Sequence, residues 1–107
     1  MVTSKDFVIE QILQRIETKF NEPLLKDAFE DQKISSVLDK GTLKVFYDIK
    51  KNKPLPFSFD IQKEVLGIIA YVVDVYKFRE FVFVEVENLA TAERVAVSGK
   101  SLAGYLK

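Results

Sequence analysis

The residues best suited to bind a charged ligand are five lysines within one short stretch of the chain. Between positions 40 and 53 the sequence contains Lys40, Lys44, Lys50, Lys51 and Lys53, with Phe46 and Tyr47 among them. Lysines can contact phosphates while an aromatic ring stacks on a base, so this stretch predicts a nucleic-acid contact. The same lysines on an edge hairpin would instead prevent strand-to-strand association. The stretch has no arginine, the residue that most often reads a base.

Two groups of carboxylates are the candidates for acid–base chemistry. They are Asp27, Glu30 and Asp31 in one group, and Glu85 and Glu87 in the other. A carboxylate needs an apolar pocket to be tuned for catalysis, and no sequence pattern places either group in one. Solvated carboxylates are therefore the favoured interpretation, and an enzyme of unknown class is only the third of three functional hypotheses.

Other kinds of catalytic and cofactor chemistry lack their usual residues. The chain has no histidine and no cysteine, which removes the commonest general base and the commonest ligands for zinc. Ser98-Gly99-Lys100-Ser101 is similar to the end of a phosphate-binding loop, but the upstream glycine is missing. A helix start at the surface is the favoured reading of that segment. We therefore expect no catalytic residue, cofactor or metal.

Composition predicts an ordinary globular domain. The 107 residues balance 16 basic against 16 acidic side chains, so no global field attracts nucleic acid or anionic lipid. This length favours a single α+β domain over residues 1–107. The first ten residues lack a signal peptide pattern, and the longest apolar run is too short to span a membrane. We therefore expect a cytoplasmic protein with no membrane contact.

The N-terminal third of the chain predicts helices. Ser4 or Asp6 can cap a first helix that ends near Phe20, because apolar residues recur there at helical spacing. Pro23 can begin a second, short helix. After a phase slip near Lys33, residues 34–38 predict a break or a third helical piece, which Gly41 would end.

Two β-hairpins are predicted on either side of a central helix. Alternating apolar residues predict strands at 42–49 and 55–59, joined by a polar turn. The same alternation predicts strands at 82–87 and 94–97. Arg94 could then form a cross-strand ion pair with Glu85 or Glu87. Ser98 or Ser101 could cap a final helical turn.

The central helix is predicted over residues 60–77, which hold the densest apolar run in the chain. Ser58 or Asp60 could cap it, and it is apolar almost all round, so other elements must cover it on most sides. A narrow outward stripe is predicted from Lys63, Gly67, Ala70, Asp74 and Lys77. A strand over residues 67–76 is the alternative, because isoleucine and valine favour strands.

These elements predict an α+β domain in the order α-α-β-β-α-β-β-α with an antiparallel sheet. If Phe46, Phe81 and Phe83 are exposed on one sheet face, they form a patch that predicts a protein interface. The preferred function is therefore a small non-enzymatic binding protein, self-associating as a homodimer or bound to a protein partner. The runner-up is a nucleic-acid-binding module, including a winged-helix version with residues 33–40 as recognition helix.

Overall fold

The elements of the fold are taken from a computed structural model that describes residues 4–51 and 60–106, with side chains described except at 24, 27–32 and 49–51. In these residues the chain forms three α-helices, one four-stranded sheet and a terminal 3-10 helix. The elements are α1 (Lys5–Phe20), α2 (Pro23–Ala28), β1 (Phe29–Asp39), β2 (Thr42–Lys51), α3 (Ile61–Val75), β3 (Phe83–Asn88), β4 (Arg94–Ser98) and the 3-10 helix (Gly99–Tyr105).

The first two helices confirm the sequence prediction. Ser4 caps α1, and its hydroxyl accepts a hydrogen bond from the Phe7 amide at 3.2 Å, as expected of an N-cap residue. One face of the helix is buried, and its residues follow helical spacing: Val8, Ile12, Ile16 and Phe20. Pro23 occupies the first position of α2, where its missing amide hydrogen has no consequence.

The third helical piece predicted at residues 34–38 is wrong, because this segment belongs to β1. It pairs antiparallel with β2, with Asp39 opposite Thr42 across a two-residue turn. The turn residues Lys40 and Gly41 have φ of 50° and 83°, and positive φ at both positions is what a type I′ hairpin turn requires. Gly41 therefore lies in a hairpin turn and does not end a helix.

The sheet is mixed, which corrects the antiparallel prediction. Its strand order is β1-β2-β3-β4, and β2 runs parallel to β3. Parallel neighbours need a long crossover, and α3 lies between these two strands in the chain. The strand predicted at 55–59 lies outside the described residues, and β1 is the antiparallel partner of β2. The hairpin of β3 and β4 is confirmed.

The central helix is confirmed and the strand alternative for it is wrong. Asp60 caps α3 by accepting the Lys63 amide at 3.1 Å. The predicted outward stripe fails at Ala70, whose exposed fraction is only 3%. The 3-10 helix packs on that side, and a side chain added at Gly67 would approach the Tyr105 carbonyl oxygen. Small residues on α3 therefore form a docking surface, whereas Tyr71 and Val75 are exposed.

The C-terminal element is a 3-10 helix, so the predicted fourth α-helix is wrong in type. Its cap is as predicted, because the Ser98 hydroxyl accepts from the Ser101 amide at 3.3 Å. Leu102 anchors it in the same core that holds α1 and α3. No helix in the described part of the chain is long and apolar enough to cross a membrane.

Candidate protein-binding face of the sheet

The two faces of the sheet differ in what covers them. Strand residues alternate between faces, and one set is fully or almost fully buried in the core with α1 and α3: Leu43, Val45, Tyr47, Val84 and Val86. We call this the covered face. The alternate residues form what we call the open face, which comprises Lys33, Ser35, Val37, Asp39, Thr42, Lys44, Phe46, Asp48, Phe83, Glu85, Glu87, Arg94, Ala96 and Ser98.

No helix in the described residues packs on the open face. The buried residues of α1 and α3 join the core cluster on the other side of the sheet. None of the open-face side chains is buried. Val37 and Phe83, both apolar, have exposed fractions of 51% and 50%. Exposed apolar groups on a continuous, regular surface are typical of a site where another molecule binds.

The three phenylalanines predicted to form an interface do not stay together. Phe46 and Phe83 lie on the open face, on the adjacent strands β2 and β3. Phe81 has an exposed fraction of 5% and packs against Phe78 with ring centroids 4.8 Å apart. The structure adds Val37, which sequence analysis missed because its segment was assigned to a helix. Val37 and Leu38 are adjacent apolar residues, so this segment lacks the alternation that signals a strand.

The charges of the open face are mixed. Its described cations are Lys33, Lys44 and Arg94, and its described carboxylates are Asp39, Asp48, Glu85 and Glu87. The Arg94 guanidinium lies 3.5 Å from the Glu85 carboxylate, which confirms the predicted cross-strand pair. Lys44 lies beside Glu85 in the ladder. The face therefore carries both signs on neighbouring strands, with the apolar residues between them.

The lysines predicted to contact nucleic acid do not form one group in the described residues. Lys40 lies in the β1–β2 turn and Lys44 lies on the open face. Lys50 and Lys51 belong to β2, but their side chains, like the whole of Lys53, lie outside the described residues. The recognition helix predicted at residues 33–40 is wrong, because these residues form the outer strand and its turn.

The candidate acid–base residues occupy ordinary surface positions where they are described. Glu85 and Glu87 both lie on the open face, and Glu85 is ion-paired. The side chains of Asp27, Glu30 and Asp31 lie outside the described residues. Among the described side chains, no group of three or more acidic residues is placed to hold a metal ion.

Tyr47 is an ionisable residue buried on the covered face. Burial raises the pKa of the Tyr47 phenol to about 12, and the negative charges of Glu93 and Asp60 add to the shift. A hydrogen bond from the Gln62 amide would lower this pKa, but the buried Gln62 Nε2 has no hydrogen-bond partner within the described part of the chain. Burial therefore dominates, and this phenol stays neutral at physiological pH inside the core.

Comparisons with known proteins identify no relative. The chain matches no family model, no curated protein and no solved structure.

Proposed function

We propose that this protein is a small non-enzymatic binding module that associates with a second copy of itself through the open face. The observation that carries the proposal is the exposure of Val37 and Phe83 on a regular sheet surface that no described helix covers. Sheets commonly pack face to face with their strands within about 30° of each other. A second sheet is therefore a natural occupant of this surface.

The register of the sheet makes the open face complementary to itself at the level of Lys44 and Glu85. The two copies are related by a two-fold axis that runs parallel to the strands, in the plane between the two sheets and above the gap between β2 and β3. This axis places β2 of one copy over β3 of the second copy, and β1 over β4. Residues on one level of the ladder then meet across the interface. Lys44 faces Glu85 of the second copy, and Val37 faces Ala96 of the second copy. Each contact occurs twice, so two ion pairs and two apolar contacts form.

The charge balance favours a protein over nucleic acid as the occupant. Among the described side chains, the open face carries four carboxylates and three cations, which is not the concentrated positive charge that phosphate binding requires. Nucleic acid binding through the lysines of residues 40–53 is the competing hypothesis. A mobility-shift assay at two salt concentrations separates the two, because phosphate contacts weaken steeply as salt rises.

The open face is smaller than a standard stable protein interface, so we expect weak association. Fourteen described residues form the face, against about 20–30 residues a side in a standard stable interface. We therefore expect a concentration-dependent dimer with a dissociation constant on the order of tens of micromolar. Analytical ultracentrifugation across about 1 to 500 µM protein measures this constant. A chain that remains monomeric over the whole range would contradict the proposal.

Charge reversal tests the arrangement of the two copies. Lys44→Glu alone places carboxylates opposite each other, and Glu85→Lys alone places cations opposite each other, so each variant is expected to be monomeric. In an equimolar mixture, one chain of each kind restores both ion pairs, and dimers are expected to return. Val75→Asp is the matched control, because Val75 is an exposed apolar residue on α3, away from the sheet.

The outcome of that experiment is decisive in either direction. Dimers of both single variants with the affinity of the unmodified chain would refute the open face as the interface. Monomeric variants that stay monomeric when mixed would refute the proposed two-fold arrangement. Circular dichroism of each variant checks that its fold is intact, as expected for substitutions at partly exposed positions.

A further inference from the structure

A second surface feature lies at the end of the molecule where α3 finishes. A cavity of about 680 Å³ opens between the C-terminal half of α3, the segment 78–83 and the 3-10 helix. Its volume falls in the range of about 300–1,000 Å³ that small-molecule sites occupy. The buried residues that line it are all apolar: Ala70, Val73, Phe78, Phe81 and Leu102.

Main-chain hydrogen bonds fix the walls of this cavity. The Gly99 amide donates to the Val82 carbonyl oxygen at 2.8 Å, and the Phe78 amide donates to the Val73 carbonyl oxygen at 3.0 Å. A side chain at position 99 would collide with the carbonyl oxygen of Phe81. The segment 78–83 is therefore bonded to the end of α3 on one side and to the start of the 3-10 helix on the other, and the cavity is preformed.

The polar side chains at the cavity carry a surplus of positive charge. Arg79 and Lys100 line it, and neither makes an ion pair within the described part of the chain. Asp74 also lines it, but its carboxylate lies 3.8 Å from the Lys77 ammonium. The Ser98 hydroxyl is already hydrogen-bonded to Ser101. Two unpaired cations therefore border an apolar floor.

From this combination we propose that the cavity binds an amphipathic monoanion with an apolar chain and one carboxylate. The apolar body lies on the buried floor, and the carboxylate lies between Arg79 and Lys100. One carboxylate balances the surplus cation, whereas a phosphate dianion would bring excess negative charge close to Asp74. The site adjoins one edge of the self-association surface, because Phe83 and Ser98 of the open face also border the cavity.

Decanoate is the probe for this proposal, and decan-1-ol is its neutral match. In a titration below the micelle concentration, methyl NMR signals of Ala70, Leu102 and Ala103 are expected to shift. The chemical shifts of the Val37 methyl signals, on the open face, are expected to remain unchanged. Decanoate is expected to bind about tenfold more tightly than decan-1-ol, because two charge contacts each contribute about three- to fivefold. Equal affinities, or shifts of the Val37 signals as large as those of Ala70 and Leu102, would overturn the proposal.

Three variants locate the contacts. Arg79→Gln and Lys100→Gln are each expected to weaken decanoate binding about threefold and to leave decan-1-ol binding unchanged. Ala103→Phe, at an exposed cavity-lining position, is expected to abolish binding of both. Lys63→Gln, at the opposite end of α3, is the control and should bind as the unmodified chain does. If decanoate binds all four variants alike, the site is elsewhere and the proposal fails.

Discussion

The covered and open faces of the sheet consist of the same strands and differ in what lies against them. On the covered face, Leu43 and Val84 are fully buried beneath α1 and α3. On the open face, their chain neighbours Lys44 and Phe83 remain accessible. Alternation along a strand therefore gives the two faces different roles in stability. One face belongs to the core that holds the domain together, and the described helices leave the other uncovered.

The largest expected difference between the faces is in their response to truncation. Leu43→Ala removes a fully buried side chain from the covered face and is expected to lower the free energy of unfolding by about 2–5 kcal/mol. Lys44→Ala, one residue along, is expected to change it by less than about 0.5 kcal/mol. Urea unfolding at a protein concentration too low for association measures both. Similar losses for the two variants would mean that the open face also supports the fold.

The next effect uses pH to probe the covered face. The pKa of Tyr47 is raised to about 12 in the folded state, from about 10 in an unfolded chain. The folded state therefore favours the neutral phenol. The resulting stability is fully present below pH 10 and is lost as pH rises from about 10 to 12, by up to about 1.4 kcal/mol per pH unit.

Tyr47→Phe provides the matched variant for this pH effect. It keeps the ring and removes the ionisable group, so its stability should fall less steeply above pH 10 than that of the unmodified chain. Because other groups titrate in both proteins, the quantity to follow is the difference between their unfolding free energies at pH 9, 10 and 11. A difference that stays constant over this range would show that the phenol is not held in an apolar environment.

The smallest expected effect comes from the ion pair of the open face. Arg94 and Glu85 are 3.5 Å apart, and the Arg94 side chain is largely exposed. A double-mutant cycle with Arg94→Ala and Glu85→Gln should give a coupling of at most about 1 kcal/mol, which decreases as salt is added. A salt-independent coupling of about 2 kcal/mol or more would instead place this pair in a dry environment, and the contrast between the faces would weaken.

Local sequence patterns predicted the elements whose periodicity is strong. Both α1 and α3 begin at one of the two caps predicted for each, Ser4 and Asp60. The β3–β4 hairpin was also predicted, because valines alternate with polar residues on both strands. The pattern failed at β1, where Val37 and Leu38 are adjacent and both exposed, so apolar and polar residues do not alternate along the strand. Its conformation depends on hydrogen bonds to β2, which a local pattern does not report.

The candidate site was predictable only in part. Phe46 and Phe83 were expected on one face, and they are; Phe81 was expected beside them, but the chain places its ring in the core against Phe78. Alternation breaks between Phe81 and Phe83, because Val82 is also exposed. The cavity at the end of α3 could not be predicted at all, since its lining comes from segments that are distant in sequence.

The sequence by itself determined the helix caps, the apolar faces of α1 and α3 and the C-terminal hairpin. Each of these depends on residues a few positions apart, whose spacing fixes a face or a cap. Tertiary structure alone decided that β1 pairs with β2, that β2 runs parallel to β3 and that the helices gather on one side of the sheet. Those outcomes depend on hydrogen bonds and contacts between distant segments, so no local spacing encodes them.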